Sequence, residues 1–572
     1  MEKPWLAYYE PGVQPSLTYP HVPIDQLLSD AARTYANRTA INFVLRYLAG
    51  GRITVGCRLS YAELDQQVNH FAAALYQLGV RKGDRVAIML PNSPQFAIAF
   101  FAAVRIGALI VNVNPTYTSR ELKIQLDDSG AETLIILNLF WRRLREVQAN
   151  TPLRRVIVTY IDDVLPFPFN LLVRSSQKRD PEWVTVRPEH DIFFMRHLLE
   201  RYRTVPPRVE RDPASTALLQ YTGGTTGTPR AAMLTHNNLV ANTMQIKGWY
   251  PACRPGGEKF MAAIPFFHVY GMTTCLLYGI HMGAELVTVP NPRPIENVMK
   301  IIAKERCTIF PGVPAMYIGV VNHPNVSHYD LTSIRACISG SAPLPIEIQE
   351  RFDAITGGRL VEGYGLSEAS PVTHCNPVLG ERRSGSIGIP LPDVEARLID
   401  LETGDDLPFD NVHTGELLVR GPQVMQGYWN RPEESAQTLT SDGWLHTGDI
   451  CRADPDGYFY VVDRKKDVMI VSGFKVLPRE VEEILYTHPQ VQEAIVAGIP
   501  HPERGDDTVK AFIVPQTGTA PTAESIREFL KLHLAPYKIP RDVEFRTELP
   551  RTAVGKVLRR TLVEDELARR GK

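Results

Sequence analysis

The sequence predicts a multidomain α/β protein. A large N-terminal domain of mostly parallel sheets and crossover helices carries a β-rich subdomain, and a small, mobile α+β domain follows it. The chain of 572 residues is longer than one ordinary domain. Its first third alternates strand-like and helix-like segments, and this pattern gives way to short strands near residue 393. With 44% hydrophobic and 22% charged residues, the composition is that of a globular protein with a sizeable core.

The alternation is clearest between residues 85 and 137. Strands are predicted at 85–90, 108–113 and 133–137, and helices at 94–106 and 118–128. Pro94 suits the first turn of the first helix, and Ser119 is a candidate cap for the second. The most apolar stretch, 96–113, is interrupted by Arg105 and is too short for a membrane span of ~20 residues. It is therefore predicted to be a buried helix that runs into a buried strand.

The last third changes character twice. Gly, Pro and Asp turns separate short strands between residues 393 and 463, which predicts the β-rich subdomain. Beyond that point, strands are predicted at 468–471, 491–497 and 509–514, and helices at 478–486 and 523–534. We therefore divide the chain into residues 1–463 and 464–572. The charged run Asp463-Arg464-Lys465-Lys466-Asp467 is the candidate hinge.

The net charge, the cysteine spacing and the N-terminal sequence limit the classes of partner and the cellular compartments that fit this chain. A net charge of -1 gives no support for a nucleic-acid partner. The seven cysteines are scattered and form no CxxC pair, which argues against a disulfide framework and a zinc site and favours a reducing, cytoplasmic compartment. The N-terminus lacks the apolar core of a signal peptide.

One apolar segment, 163–174, carries two prolines and is followed by basic residues. It is either a surface insertion that packs locally or a lipid-facing, substrate-entry element. Peripheral contact with the inner face of a membrane therefore stays open, as does a homodimer.

The strongest local signal is the sequence Tyr221-Thr-Gly-Gly-Thr-Thr-Gly-Thr-Pro-Arg230, which follows a strand-like run. Its glycines and threonines offer backbone N–H groups and hydroxyls that can wrap phosphate oxygens, and Arg230 adds a cation. The GxxxxGK[ST] motif of P-loop NTPases is absent. The alternative interpretation is a flexible surface linker.

The stretch from Leu218 to His236 is similar to the nucleotide-phosphate loop of the adenylate-forming superfamily, which includes acyl-CoA synthetases and firefly luciferase. Its Gln-Tyr-Thr-Gly-Gly beginning and Met-Leu-Thr-His end most resemble long-chain fatty-acid–CoA ligases. Arg230-Ala231 stands where the family usually has Lys-Gly, and a planar guanidinium is not equivalent to an ammonium. The resemblance implies ATP or AMP contacts from Thr222, Gly223, Gly224, Thr225, Thr226 and Gly227.

Three segments in the middle of the chain resemble the family's acyl and adenine segments. Pro265–Gly271 resembles the aromatic-histidine segment, which implies a gating or substrate-positioning role for His268. Ser339–Leu344 resembles the adenine-facing turn. Glu362–Glu368 resembles the Gly-Tyr-Gly-x-Thr-Glu segment, in which Tyr364 would stack on adenine and Glu368 would hold Mg²⁺. The nucleotide contacts so implied come from Gly340, Ser341, Ala342, Glu362, Gly363, Tyr364, Gly365 and Ser367.

Three later segments complete the resemblance. Asp442–Ile450 resembles the fatty-acid ligase signature, in which Asp449 would accept hydrogen bonds from the ribose hydroxyls. In the charged run, Arg464 would contact ribose or phosphate and Lys466 sits at the family's hinge position, while Gly473 would lie beside the pantetheine arm. Leu549–Arg559 resembles the catalytic-lysine motif, in which Lys556 would reach the α-phosphate and the carboxylate.

The resemblance implies a long-chain fatty-acid–CoA ligase. ATP, a fatty acid and coenzyme A would yield acyl-CoA, AMP and pyrophosphate through an acyl-adenylate, with Mg²⁺ as cofactor and a domain rotation between the half-reactions. Lys556, Arg464, Glu368 and His268 would form the catalytic set. The alternatives are a ligase for aromatic or medium-chain acids, an acyl-AMP ligase that delivers to a carrier protein, and an inactive nucleotide-binding scaffold.

Overall fold

The computed structural model describes residues 3–222, 229–471, 474–500, 507–552 and 557–570. It confirms the predicted mixed α/β class. Two compact units are present. The larger unit comprises Tyr8–Glu395 and Arg420–Gly443, and the smaller unit comprises Met1–Ala7, Ala396–Val419 and Trp444–Lys572. The functional boundary between residues 463 and 464 falls inside the smaller unit and stays a prediction.

A seven-stranded sheet lies at the centre of the first part of the larger unit. Its strands, in spatial order, are Ile192–Phe194, Arg155–Thr159, Thr133–Leu137, Arg85–Met89, Leu109–Asn112, Thr216–Thr222 and Arg230–Thr235. All neighbours are parallel except the last pair, which is antiparallel. The parallel sheet with crossover helices is therefore confirmed.

A second group of strands in the larger unit leads into the two segments predicted to contact adenine, 339–344 and 362–368. One sheet has the order Lys259–Ala262, Glu285–Thr288, Thr39–Leu48 and Ile53–Ser60, and the other has Ala336–Ser339, Arg359–Gly365, Val372–Cys375 and Ile389–Pro390. Ile309 forms parallel bridges to Phe260 and to Ala336 and so connects the two sheets.

Helices cover these sheets. Those of the larger unit are Gln26–Thr34, Tyr61–Gln77, Pro94–Arg105, Ser119–Ser129, Trp141–Arg145, Phe169–Gln177, Met195–Arg201, His236–Trp249, Val269–Gly271, Tyr278–His281, Ile295–Glu305, Pro314–Val321, Ile346–Thr356 and Pro432–Thr438. Every residue from Pro94 to Val104 is buried, as predicted. No helix among the described residues is long and apolar enough to span a membrane.

The predicted cap Ser119 is wrong by one residue. The N-cap is Thr118, whose hydroxyl accepts a hydrogen bond from the Glu121 N–H while the Glu121 carboxylate accepts one from the Thr118 N–H. This reciprocal capping box satisfies two backbone donors that Ser119, inside the first turn, cannot serve.

The smaller unit combines a β-rich part with a compact α+β part. The first is a five-stranded sheet in the order Asp406–Leu407, Glu395–Ile399, Gly415–Arg420, Leu445–Ala453 and Phe459–Arg464. The second contains the strands Met469–Val471, Phe474–Val476, Val491–Pro500, Asp507–Pro515 and Asp542–Phe545, and the helices Pro478–Tyr486, Ala523–Lys531 and Arg559–Arg570. Its core includes Val481, Leu485, Val496, Ile513 and Ile526.

Candidate active site

Glu368 lies on the single turn Ser367–Ala369, directly after the strand that ends at Gly365. Its Oε1 accepts a hydrogen bond of 2.8 Å from the Tyr428 hydroxyl, and its carbonyl accepts one of 2.8 Å from the Met425 N–H. Burial, and then the charge of Glu368, raise the pKa of Tyr428, so the phenol stays protonated and donates.

The other carboxylate oxygen of Glu368 accepts no hydrogen bond from the residues that the structure describes. Mg²⁺ is usually held by one or two carboxylates together with substrate phosphates, so a single oriented carboxylate fits this ion. The described residues include no group of three or more His, Cys, Asp or Glu side chains that could hold a metal by themselves.

Backbone sterics fix the segment that precedes Glu368. A Cβ on Gly365 would lie 2.0 Å from the Pro371 carbonyl oxygen, and one on Gly363 would lie 3.1 Å from Ile338 Cγ2. The Tyr364 ring, between these glycines, meets His374 edge-on with centroids 5.9 Å apart. Only glycine therefore fits at position 365.

The predicted adenine-facing turn, residues 340–342, lies beside this segment. Ser339 and Glu362 are partners in adjacent parallel strands. Residues 340–342 leave the sheet at this point, whereas residues 363–365 continue the strand and pair with the antiparallel strand Val372–Cys375. Ser341 has a left-handed backbone with φ of 74°. The carboxyl edge of parallel strands is where open α/β sheets bind ligands.

His268 precedes a short helix that continues into the π-helix Met272–Leu277. It is half-buried, and its Nδ1 accepts a hydrogen bond of 3.2 Å from the Tyr270 N–H. The Tyr270 hydroxyl donates to the Ile338 carbonyl at 2.7 Å. This bond connects the segment that follows His268 to the strand Ala336–Ser339, which precedes the predicted adenine-facing turn. π-Helices are rare and occur frequently at functional sites.

The predicted phosphate loop joins two antiparallel strands in which Thr222 pairs with Arg230. Gly223, Gly224, Thr225, Thr226 and Gly227 lie outside the described residues. Arg230, the departure from the family's usual lysine, forms an ion pair of 2.7 Å with Glu434 and stands 5.6 Å from the centre of the Tyr428 ring. It therefore contacts the same tyrosine that orients Glu368.

The smaller unit brings Asp449 and Arg464 together. They are directly opposed in antiparallel strands, and Arg464 Nε lies 3.3 Å from Asp449 Oδ1. Glu416 binds Lys465 at 3.0 Å and lies 3.3 Å from His446. Lys466 is exposed on the turn Lys465–Asp467. Charge pairs thus organise the predicted ribose side of the site.

Lys556 and Gly473 lie outside the described residues. The described chain ends at Thr552 and resumes at Val557, and the residues at these two ends form a small antiparallel stem. Arg551 bridges Val557, and the Leu558 N–H donates to the Pro550 carbonyl at 2.8 Å.

Two residues with evident structural roles escaped the sequence interpretation. Tyr428 orients Glu368 from 60 positions away, and nothing near either residue signals the contact. The Asn92 side chain donates to the carbonyls of Ala262 and Ile264 and accepts from the Phe266 N–H, so it holds the segment that leads to His268. Asn92 follows a parallel strand at its carboxyl end, a position that could have drawn attention to it.

Comparisons with known proteins identify the family of the chain. A family model described as AMP-binding enzyme matches residues 28–429, and one described as AMP-binding enzyme C-terminal domain matches residues 480–556. The chain is 43% identical to a long-chain-fatty-acid–CoA ligase of Bacillus subtilis, covering 99% of this chain and 98% of the relative. A ligase of the same description from Salmonella typhimurium is 39% identical, covering 99% of this chain and 98% of the relative.

Among solved structures, the anthranilate CoA ligase AuaEII in complex with anthranoyl-AMP is similar with a TM-score of 0.82 and 26% identity, covering 97% of this chain and 99% of that one. The fold and the two family matches define an AMP-binding enzyme, and the chain belongs to that family. Within it, the similarity to long-chain-fatty-acid–CoA ligases extends over nearly the whole sequence.

Proposed function

We propose that the chain is a long-chain fatty-acid–CoA ligase that forms AMP and pyrophosphate through an acyl-adenylate. The observation that carries the nucleotide part is Glu368, whose carboxylate is oriented by Tyr428 just after the strand Arg359–Gly365. That strand pairs with the one that leads into the turn 340–342. Similarity to fatty-acid–CoA ligases over almost the full length supports the acid and the thiol acceptor.

In the first half-reaction, a fatty carboxylate attacks the α-phosphorus of ATP and pyrophosphate leaves. Both reactants are anions, so the barrier is mainly electrostatic and positional. Lys556 and Arg464 would stabilise the developing negative charge, while Thr222–Gly227 and Tyr364 hold the nucleotide and His268 positions the acid. Mg²⁺, when bound at Glu368, supplies further screening of the triphosphate.

In the second half-reaction, the coenzyme A thiol attacks the carbonyl of the mixed anhydride and AMP leaves. Gly473 would line the path of the pantetheine arm after a rotation about Lys466. The step needs no protein nucleophile. The cysteines fit this scheme, because burial raises the pKa of Cys275, Cys375 and Cys57 to about 12 each and suppresses their thiolates.

Separate assays of the two half-reactions test the proposal. Lys556→Ala should slow pyrophosphate release with palmitate and ATP by ~10²–10³, the typical loss for one transition-state contact. Thioester formation from supplied palmitoyl-adenylate should change far less. Lys531→Ala, at an exposed lysine paired with Glu528, is the control. Equal losses in both half-reactions would exclude the role of Lys556, and no pyrophosphate release by the wild type would exclude the function.

An aromatic-acid ligase is the second candidate, because a solved anthranilate CoA ligase shares the fold. Val269 and Met272, which follow His268, are buried and apolar. We expect them to form a wall of the acyl pocket, and an apolar wall favours a long acyl chain. Each buried methylene contributes about 0.8 kcal/mol, so acids of twelve or more carbons should bind much better than those of two to four. A profile that peaks at benzoate would favour the second candidate.

Peripheral membrane contact is a further part of the proposal. Three apolar side chains in or just before the helix Phe169–Gln177 are exposed to solvent. They are Phe167, Leu171 and Leu172, with fractional exposures of 77%, 58% and 55%. Lys178 and Arg179 follow and are exposed, which suits an anionic interface. Co-sedimentation with vesicles that contain phosphatidylglycerol should fall in Leu171→Glu/Leu172→Glu and not in Leu532→Glu, a leucine of the smaller unit that is even more exposed. The homodimer and the cytoplasmic location stay predictions.

A further inference from the structure

Arg559 joins two acidic side chains of the smaller unit that are distant in the sequence. Its Nη1 donates to Asp467 at 2.5 Å and its Nη2 donates to Glu482 at 2.6 Å. The side chains of Arg559 and Asp467 are 20% exposed and that of Glu482 is 10% exposed, so water competes weakly. Each end of the guanidinium is thus committed to its own carboxylate.

The two carboxylates are themselves well placed. Glu482 lies in helix Pro478–Tyr486 and also accepts a hydrogen bond of 2.8 Å from the Val496 N–H of the neighbouring strand. Asp467 closes the charged run that begins at Asp463 and ends the turn Lys465–Asp467. Arg559 therefore connects the candidate hinge to the core of the α+β part.

Arg559 is also the first residue after the stem that flanks Lys556. That stem consists of the bridge between Arg551 and Val557 and the hydrogen bond from Leu558 to Pro550. Helix Arg559–Arg570 begins immediately afterwards. One guanidinium therefore ties this stem to the segment next to Arg464.

We propose that Arg559 is a positioning residue for adenylation, and this inference rests on the role of Lys556 under the proposed function. Lys556 directly precedes Val557 of this stem in the sequence, and a displacement of about 1 Å at a reacting group can cost ~10²-fold in rate. Asp467, Glu482 and Arg559 all follow residue 466, so a rotation about that residue carries them together. The contact can thus hold the stem in place without opposing the rotation.

The test measures both half-reactions, with palmitate and ATP for the first and palmitoyl-adenylate and coenzyme A for the second. Arg559→Gln should slow adenylation by ~10–100-fold and change thioester formation by less than about threefold, by the positional argument above. Asp467→Asn is the milder variant and should act in the same direction. Arg569→Gln removes an exposed arginine near the other end of the same helix, where it pairs with Glu544, and it should leave both rates unchanged.

A merely structural role would give a different pattern. Lys556→Ala/Arg559→Gln should adenylate no more slowly than Lys556→Ala alone, because Arg559 acts through that lysine. Thermal unfolding of each variant identifies those that fail to fold, and Asp467→Asn and Glu482→Gln then carry the test. Equal loss in both half-reactions, unchanged adenylation, or additive losses in the double variant would each overturn the proposal. A wild-type enzyme that releases no pyrophosphate would instead refute the proposed function, and the role of Arg559 with it.

Discussion

The predicted site residues of the larger unit and those of the smaller unit are held in place by different forces. In the larger unit, the segment before Glu368 is fixed by glycines that leave no room for a Cβ and by a neutral phenol that donates to the carboxylate. In the smaller unit, Asp449, Arg464, Asp467 and Arg559 are fixed by pairs of opposite charge. Steric exclusion is insensitive to salt and unforgiving of added atoms, whereas charge pairs are adjustable and replaceable.

The difference suits the predicted division of labour. A surface that receives a planar base and a triphosphate must be in place before the nucleotide arrives, and close-packed backbone provides this. Side chains predicted to contact ribose or phosphate, such as Asp449 and Arg464, have to engage and release the nucleotide and are better held by pairs that can exchange partners. The predictions below test this contrast, beginning with the largest expected effect.

Gly365→Ala should break the rigid part outright. The new Cβ would meet the Pro371 carbonyl oxygen at 2.0 Å, and backbone on both sides prevents an easy shift. We expect a loss of about 3 kcal/mol or more in the free energy of unfolding. Gly319→Ala is the control, because its nearest neighbour, Ile295, would be 3.4 Å away and alanine is the better helix former. Similar urea midpoints for the two variants would contradict the steric account.

Acid should weaken the larger unit through its buried histidines. Burial lowers the pKa of His236 to about 4, and its Nδ1 accepts a hydrogen bond from the Ile24 N–H. Because the folded pKa lies below the ordinary value of 6.5, the stabilisation is complete above pH 6.5 and is lost as the pH falls toward 4. His236 alone accounts for up to roughly 3 kcal/mol.

His236→Asn retains an acceptor and cannot be protonated, so urea unfolding at pH 7, 5.5 and 4.5 should show a shallower decline than the wild type. His190→Asn, at an exposed side chain, should follow the wild type. A parallel decline in all three proteins would exclude His236 as a source of acid sensitivity.

Asp449→Asn sharpens the comparison on the charged side. If Asp449 accepts hydrogen bonds from the ribose, its loss should cost roughly 2 kcal/mol, or ~30-fold in kcat/KM for ATP, as expected for a hydrogen bond to a charged group. The wild type should discriminate against 2′-deoxy- or 3′-deoxy-ATP, and the variant should lose that discrimination. Glu402→Gln, at an exposed carboxylate of the same unit, is the control. Undiminished discrimination by Asp449→Asn would remove Asp449 from the ribose site.

Tyr428→Phe should give the smallest of these effects. It deletes the hydrogen bond to Glu368 and keeps the ring, so the carboxylate becomes free to reorient. Loss of such a supporting contact typically lowers metal affinity ~10–100-fold, and we expect the Mg²⁺ concentration for half-maximal adenylation to rise about tenfold. Tyr329→Phe removes a similar hydrogen bond, to Glu296, elsewhere in the larger unit. It should leave the Mg²⁺ concentration for half-maximal adenylation unchanged. Equal Mg²⁺ curves for both variants would contradict the role of Tyr428.

The sequence predicts regular elements well where a local cause is sufficient. The helix at Pro94 and the strand Thr133–Leu137 are found with nearly the predicted bounds, because a cap and an apolar run act within a few residues. Thr118 and Glu121 also match the S/T-x-x-E pattern of a capping box, which predicts Thr118 rather than Ser119 as the cap. The contact between Tyr428 and Glu368 depends on how the chain returns to the sheet, and no local pattern encodes it. The roles of His268 and Lys556 come from resemblance and stay predictions.

Asp463 links the two sides of the candidate hinge. Its carboxylate accepts hydrogen bonds from the N–H groups of Arg464 and Arg479, and Arg479 Nη1 donates to the Val461 carbonyl at 2.5 Å. A rotation about residues 464–466 that carries Arg479 away has to break both Arg479 contacts. Each is worth about 0.5–1.5 kcal/mol net, and the carboxylate regains water as burial ends. Together these two contacts favour the described arrangement by about 1–3 kcal/mol, an amount that a ligand with a higher affinity for the other arrangement can offset.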